Sequence, residues 1–436
     1  MTDLFSTVTS ADLGKRIHAL MTDLYPICRS ITGPGVTRTL ERLQQEIPLA
    51  IREVPSGTQV LDWTVPREWT IRDGWIKNEA GEKVVDFKNH NLHVVNYSSP
   101  ADTVLPLAEL KKNLFSLPAK PTAIPYRTSY YDDSWGFCLS HEDLSALPEG
   151  NYHAFIDSTL EPGFLRYGEY VIPGRTDQEI LITTHVCHPS MGNDNLSGIG
   201  IATFLAARLT GTTPHFTHRF LFIPGTIGSI TWLATHRENM PDIRHGLILT
   251  GVGDAGSPTY KRSRAGNSGI DRAMEHVLKS GWTDYNLRDF TPFGYDERQF
   301  CSPGFNLPVG CLMRTPHGEY HEYHCSLDNL DFVKPQNLED TWRICTSLLD
   351  LLERNRTYRN LSPHGEPQLG KRGLYQAMGQ QSHDRQALQL SMLWVLNQSD
   401  GDHDLLDISI RSGIPFPTIA TAADMLHKHD LLEVIG

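Results

Sequence analysis

Two imidazoles and a carboxylate, His185, His188 and Asp194, fall within the single stretch Thr184-His-Val-Cys-His-Pro-Ser-Met-Gly-Asn-Asp-Asn-Leu-Ser-Gly198. Zinc takes histidine nitrogen and aspartate oxygen, and needs three or four such ligands to converge. Further donors occur in Glu319-Tyr-His-Glu-Tyr-His-Cys-Ser-Leu-Asp328, which brings His321, Glu322, His324 and Asp328, and in Gly251-Val-Gly-Asp254. His185, His188, Asp194, His324 and Asp254 are all candidate donors, with His321, Glu322 and Asp328 open beside them. Each residue has a blander reading. A loop histidine is commonly just polar surface, Cys187 reads as a buried thiol, and Asn193 or Asn195 could cap a helix beginning near Leu196. Their joint occurrence at strand ends favours a metal.

Such residues need elements that deliver them to one place. Glu179-Ile-Leu-Ile-Thr-Thr-His185 reads as a short buried strand ending on a histidine, and Leu196 to Leu209 as an alanine-rich helix. Arg219-Phe-Leu-Phe-Ile-Pro224 and Gly246-Leu-Ile-Leu-Thr-Gly-Val252 are two more buried strands, each with a helix-like segment expected after it. This alternation predicts an α/β fold, a mainly parallel sheet covered by helices, with ligands beyond the carboxyl ends of the strands. Residues 10–45 read as helical, from the spacing of Leu13, Ile17, Leu20 and Leu24 and a second segment from Thr37. The boundaries expected are 1–50 for that helical part, 51–165 for a β-rich insertion, 166–358 for the α/β domain and 359–436 for a C-terminal domain. Within the insertion, Thr58 to Val65, Asn91 to Tyr97 and Tyr152 to Asp157 read as strands. The tail suits three helices, 387–397, 404–412 and 416–429, with a glycine turn at Gly413 in the helix-turn-helix manner.

Composition bounds the function classes. The 436 residues suit two or three domains, and 39% hydrophobic content suits ordinary cores. A formal net charge of -12 opposes a general nucleic-acid surface. The N-terminal stretch lacks the pattern of a secretory signal, and no apolar run is long enough to span a bilayer. Seven scattered cysteines suit reduced thiols, so a cytoplasmic protein is expected.

Asn193-Asp-Asn-Leu-Ser-Gly198 is similar to the Asp-x-x-Ser-Gly motif of the zinc aminopeptidases of peptidase clan MH. Tyr323-His-Cys-Ser-Leu-Asp328 resembles the segment carrying that family's last histidine ligand, and Gly294-Tyr-Asp-Glu-Arg-Gln-Phe300 its substrate-side segment. More narrowly, almost the whole chain resembles bacterial aminopeptidase-like proteins with an inserted β-rich domain and a C-terminal winged helix. Cys28-Arg-Ser-Ile-Thr-Gly33, Phe300 to Gly310 and Gln368 to Tyr375 carry that match. The resemblance implies a zinc-exopeptidase-like fold, one zinc or two, and a peptide or N-acyl amide substrate.

One position departs from the pattern. The family carries Glu-Glu-x-Gly after the next strand, a general base followed by a ligand, where this chain reads Pro224-Gly-Thr-Ile-Gly-Ser229. Gly225 stands where the base is expected and Thr226 where the second ligand is. A positioned base contributes about 10²–10⁴-fold in rate, so activity is expected to be weak or absent unless Glu319, Glu322 or Glu297 replaces it. Asp296 and Glu297 could receive a substrate amino group, and Arg298 or Arg264 a substrate carboxylate. The competing readings are a non-catalytic metal- and ligand-binding protein on the same scaffold, and a regulator using the helix-turn-helix. For the latter, Phe416 to His429 with Lys428 as its firm cation is a poor phosphate-facing helix. No membrane partner is expected, nucleic acid is disfavoured, and a homo-oligomer is compatible with the sequence.

Overall fold

The computed structural model describes residues 12–374 and 383–435. Residues 1–11, and Tyr375 of the tail motif, lie outside the described residues. Two compact units are present: residues 272–283 with the chain from 344 onward, and the remainder.

The larger unit is organised by an eight-stranded sheet. Its order is Ala50–Pro55, Phe164–Ile172, Thr217–Ile223, Gln178–His185, Asp242–Leu249, Val309–Met313, Thr259–Lys261 and Asn286–Arg288. The centre is parallel: Gln178–His185 pairs in parallel with both neighbours, and Asp242–Leu249 with Val309–Met313. Antiparallel pairs flank it, so the sheet is mixed. The continuous apolar runs of the central strands are explained by burial on both faces. Leu181, Leu221, Ile223 and Cys311 share one core with Ile230, Trp232 and Leu233 of the helix Ile227–His236. Ile180, Ile182, Phe220 and Phe222 on alternate positions are equally buried. Helix Gly198–Leu209 packs on helix Leu13–Leu24 at a close approach, since a Cβ at Gly200 would stand 2.6 Å from the Ile17 side chain.

The inserted segment has its own antiparallel sheet, ordered Lys83–Asp86, Glu68–Lys77, Asn151–Glu161, Ala101–Pro106. Ile76, Val85, Leu114, Phe137, Tyr152 and Ile156 form its core. Four sequence expectations differ here. Thr58 to Val65 is a hairpin of Gln59–Val60 and Trp63–Thr64 rather than one strand. Ala50–Pro55 and Phe164–Ile172 pair with each other in the large sheet, so the strands flanking the insertion belong to the α/β core. Asn91–His93 is a 3-10 turn rather than a strand, because the His90 ring accepts the Leu92 N–H at 3.1 Å. Such local side-chain bonds compete with strand pairing. After Asp242–Leu249 the chain forms a loop and the short strand Thr259–Lys261 where a helix was expected.

The C-terminal part of the smaller unit has helices His383–Gln398, Leu405–Ser412 and Phe416–Lys428 with a three-stranded sheet of Thr357–Asn360, Asp400–Asp404 and Leu432–Val434. Asp404 and Asp407 form a capping box that starts the second helix, and Gly413 at φ 70° ends it. No described helix is long and apolar enough to cross a membrane. All seven cysteines are free.

Candidate metal centre

His185 is the last residue of the central strand, and the chain turns from it into the helical turn Gly192–Ser197. That turn carries Asp194 back beneath the strand end. Asp194 Oδ1 lies 2.8 Å from His185 Nε2 and Oδ2 lies 3.0 Å from His324 Nε2. His188 Nε2 stands 3.8 Å from Oδ2. His185, His188 and Asp194 each present a donor atom within 4.8 Å of the others. All three are buried, while His324 keeps a partly exposed edge.

Burial holds the His185 imidazole below its ordinary pKa and the His188 imidazole well below it. For Asp194 burial acts upward, but the surrounding imidazoles of His188, His185 and His324 overcome it and hold the carboxyl well below the usual range. An ionised Asp194 carboxylate beside His185 and His188 imidazoles held toward neutrality is the protonation state in which these groups ligate a cation. The donor set, three nitrogens and one carboxylate, fits zinc.

The turn is anchored by polar side chains rather than by apolar packing alone. Asp328 accepts the backbone N–H groups of Asn193 at 2.6 Å and Asp194 at 2.9 Å. The two asparagines are not helix caps. The Asn195 amide donates to the Thr184 hydroxyl at 2.8 Å and the Leu249 carbonyl at 3.1 Å, tying two strand ends together. The Asn193 amide donates to Asp254 at 2.9 Å. Asp254 also accepts from the Thr315 hydroxyl at 2.7 Å and the Gly256 N–H at 2.6 Å. Its oxygens are thereby committed to protein donors, apart from the four converging residues. Beneath His188, the buried Arg29 guanidinium donates to the His188 carbonyl at 2.9 Å and the Leu24 carbonyl at 2.7 Å. His324 has a left-handed backbone, φ 54°, and the inserted segment holds it there. Tyr126 N–H donates to the His324 carbonyl at 2.8 Å, and Pro125 bridges to Cys325.

Gly225 borders the cluster, and Tyr295 fills the space a side chain there would need. A Cβ at Gly225 would lie 2.3 Å from the Tyr295 hydroxyl. The Tyr295 ring packs on His185 with centroids 3.9 Å apart, and its hydroxyl is 3.7 Å from Cys187 Sγ. Burial pushes this phenol well above its ordinary pKa, so it is protonated.

The remaining candidates lie in other surroundings. Glu297 is buried in an ion pair with Lys261 at 2.8 Å and accepts the Tyr295 N–H. Asp296 is buried against the Ser229 hydroxyl at 2.7 Å. The Arg298 side chain has a buried, unpartnered Nε, and the exposed Arg264 donates to Asn306 at 2.8 Å. Glu319 pairs with Arg288 at 2.6 Å, and Glu322 is half-exposed. Sequence reasoning missed Tyr295, Tyr126 and His317. The His317 ring is 5.8 Å from Tyr295, burial lowers its pKa, and its Nε2 has no hydrogen-bond partner. Only Tyr295 stood in a motif that had been singled out.

The mixed sheet and its covering helices have the fold seen in solved zinc aminopeptidases, and the C-terminal part matches a winged-helix model. A zinc aminopeptidase from Bacillus subtilis superposes with TM-score 0.55 at 12% identity over 77% of this chain and 94% of its own. Residues 356–434 match a winged helix-turn-helix model. Residues 18–355 match the model described as a domain of unknown function, DUF4910, and the chain belongs to that family. A Clostridium acetobutylicum relative is 48% identical over 98% of both chains and is named a "putative polysaccharide biosynthesis protein with aminopeptidase-like domain". A crystal structure from that organism has TM-score 0.92 at 47% identity, over 98% of this chain and 97% of its own.

Proposed function

We propose that the protein is a zinc-dependent hydrolase of a peptide or N-acyl amide bond, with one metal held by His185, His188, Asp194 and His324. The observation that carries this reading is the convergence of three imidazoles on the buried Asp194 carboxylate. Zinc held there would supply Lewis acidity toward an amide carbonyl. The chain's own residues then divide the remaining work. Asp328 and Arg29 hold the ligand-bearing turn, and the protonated Tyr295 hydroxyl is a donor beside it. Gly225 offers no proton acceptor, and Glu297 and Glu319 are committed to Lys261 and Arg288. His317, with an unpartnered ring nitrogen beside Tyr295, is the group suited to accept a proton.

The test is zinc analysis of the purified protein together with hydrolysis of a panel of aminoacyl and N-acyl amides. Zinc near one per chain is expected, with slow hydrolysis that His317→Ala lowers by about 10²-fold or more. Gly225→Glu alone collides with Tyr295, so a base is restored there only with Tyr295→Ala alongside. Absence of zinc after reconstitution would end this reading. Zinc without turnover in any variant would leave a metal-binding protein on a peptidase scaffold.

A further inference from the structure

The inserted β-rich segment and the His324 loop border an open recess of about 410 Å³ whose wall includes His324 and Tyr126. Tyr126 links it to the cluster, its ring centroid lying 5.0 Å from His188 and 5.1 Å from His324. Two cations, Lys120 and Arg127, line this recess, and no carboxylate does. Ser116 and Thr128 add hydroxyls.

The charge pattern runs against the protein as a whole, which carries 51 acidic against 39 basic residues. Elsewhere in the same segment several cations hold acids, Arg72 with Asp157, Lys83 with Asp86, Lys88 with Asp73 and Lys112 with Glu109, while Lys77 lies over the Trp75 ring instead. Among the described residues, Lys120 and Arg127 form no such pair. Lys120 Nζ reaches the Tyr323 carbonyl at 3.4 Å, and the Arg127 guanidinium lies 4.2 Å from the Phe115 ring centroid. Lys120 is half-buried and Arg127 exposed, and among the described residues neither head group is neutralised by a carboxylate of the chain. On the opposite question, of the acids expected to receive a substrate amino group, Glu297 is held by Lys261, and Asp296 is fully buried, one oxygen accepting the Ser229 hydroxyl and the other unpartnered.

We infer that this recess is a substrate subsite for a carboxylate, read by Lys120 and Arg127, so that the favoured substrate is an N-acylated amino acid or acidic peptide end rather than a free amino terminus. Arginine's planar fork suits a carboxylate, and lysine adds a point charge beside it. The inference rests on the hydrolase reading for its place in catalysis, but not for its binding chemistry. A volume of about 410 Å³ accommodates one amino-acid-sized group.

The test is calorimetric binding of N-acetyl-alanine and N-acetyl-alaninamide, which differ at the carboxylate, to zinc-loaded and metal-free protein. The carboxylate is expected to bind at least about tenfold tighter at low salt, a preference that weakens as salt rises. Lys120→Ala with Arg127→Ala should reduce that preference to about twofold or less, and Arg127→Glu should abolish it. Both side chains line an open surface, and thermal unfolding of each variant reports whether the fold is retained. Equal binding of acid and amide by the wild type, or a preference that survives the double substitution, would overturn the subsite. A preference lost on substitution in protein that takes up no zinc would sink the hydrolase reading and leave the subsite standing.

Discussion

Asp194 and Glu297 are equally buried, yet they face opposite kinds of partner. Asp194 looks at three imidazoles, and Glu297 at the Lys261 ammonium and a backbone N–H. A carboxylate whose neighbours are permanent donors is complete as it stands. One whose neighbours are imidazoles is, on the proposed reading, a ligand awaiting a shared cation. Asp271 makes the point again on the structural side, accepting from Tyr260, Ser263 and Ser268. Burial therefore does not separate a working acid from a structural one, but the identity of the donors does.

The largest effect expected from this contrast is at Asp194. Asp194→Ala should leave less than about a tenth of the wild-type zinc by elemental analysis after dialysis, since the shared ligand is gone. Full zinc in that variant would place the ion elsewhere and erase the distinction. Next comes Lys261→Met, which strands a buried charge without touching the cluster. It should cost about 3–5 kcal/mol in denaturant unfolding while zinc content holds. Loss of zinc with little loss of stability would make Glu297 part of the metal site instead.

The strand ending at His185, the turn with His188 and Asp194, and the tail helices were legible because each is written in a local run of sequence. Hydrophobic blocks mark buried strands, and Gly413 marks a helix end. His324 was reached by resemblance, since its place depends on Tyr126 and Pro125 of the insertion, contacts that no local pattern encodes. Asp254 shows the converse. It follows a buried strand much as His188 does, but the loop through Gly251 at φ 58° turns its carboxylate toward Asn193 and Thr315. Strand-end position places a residue near the sheet's mouth without fixing where its side chain points. Tyr295 was hidden for a different reason: that it fills the space beside Gly225 is a fact of excluded volume between residues 70 apart in sequence.

The smallest expected effect lies next to Glu297 in sequence, where the neighbouring acid makes no ion pair among the described residues. Burial raises the Asp296 carboxyl from 3.8 to about 7, with the Ser229 hydroxyl opposing, and its second oxygen has no partner. Between pH about 4 and 7 the unfolded chain releases this proton while the folded chain keeps it. The native state then binds more protons, so this group's contribution to stability is full below pH about 4 and lost as pH rises through about 7. Asp296→Asn keeps the shape and removes the titration. Its melting temperature relative to wild type should therefore climb as pH goes from 5 to 8, by the equivalent of a few kcal/mol at most. An unchanged gap across that range would mean that Asp296 is ionised in the folded protein, and a cation such as Arg298 would then have to serve it as Lys261 serves Glu297.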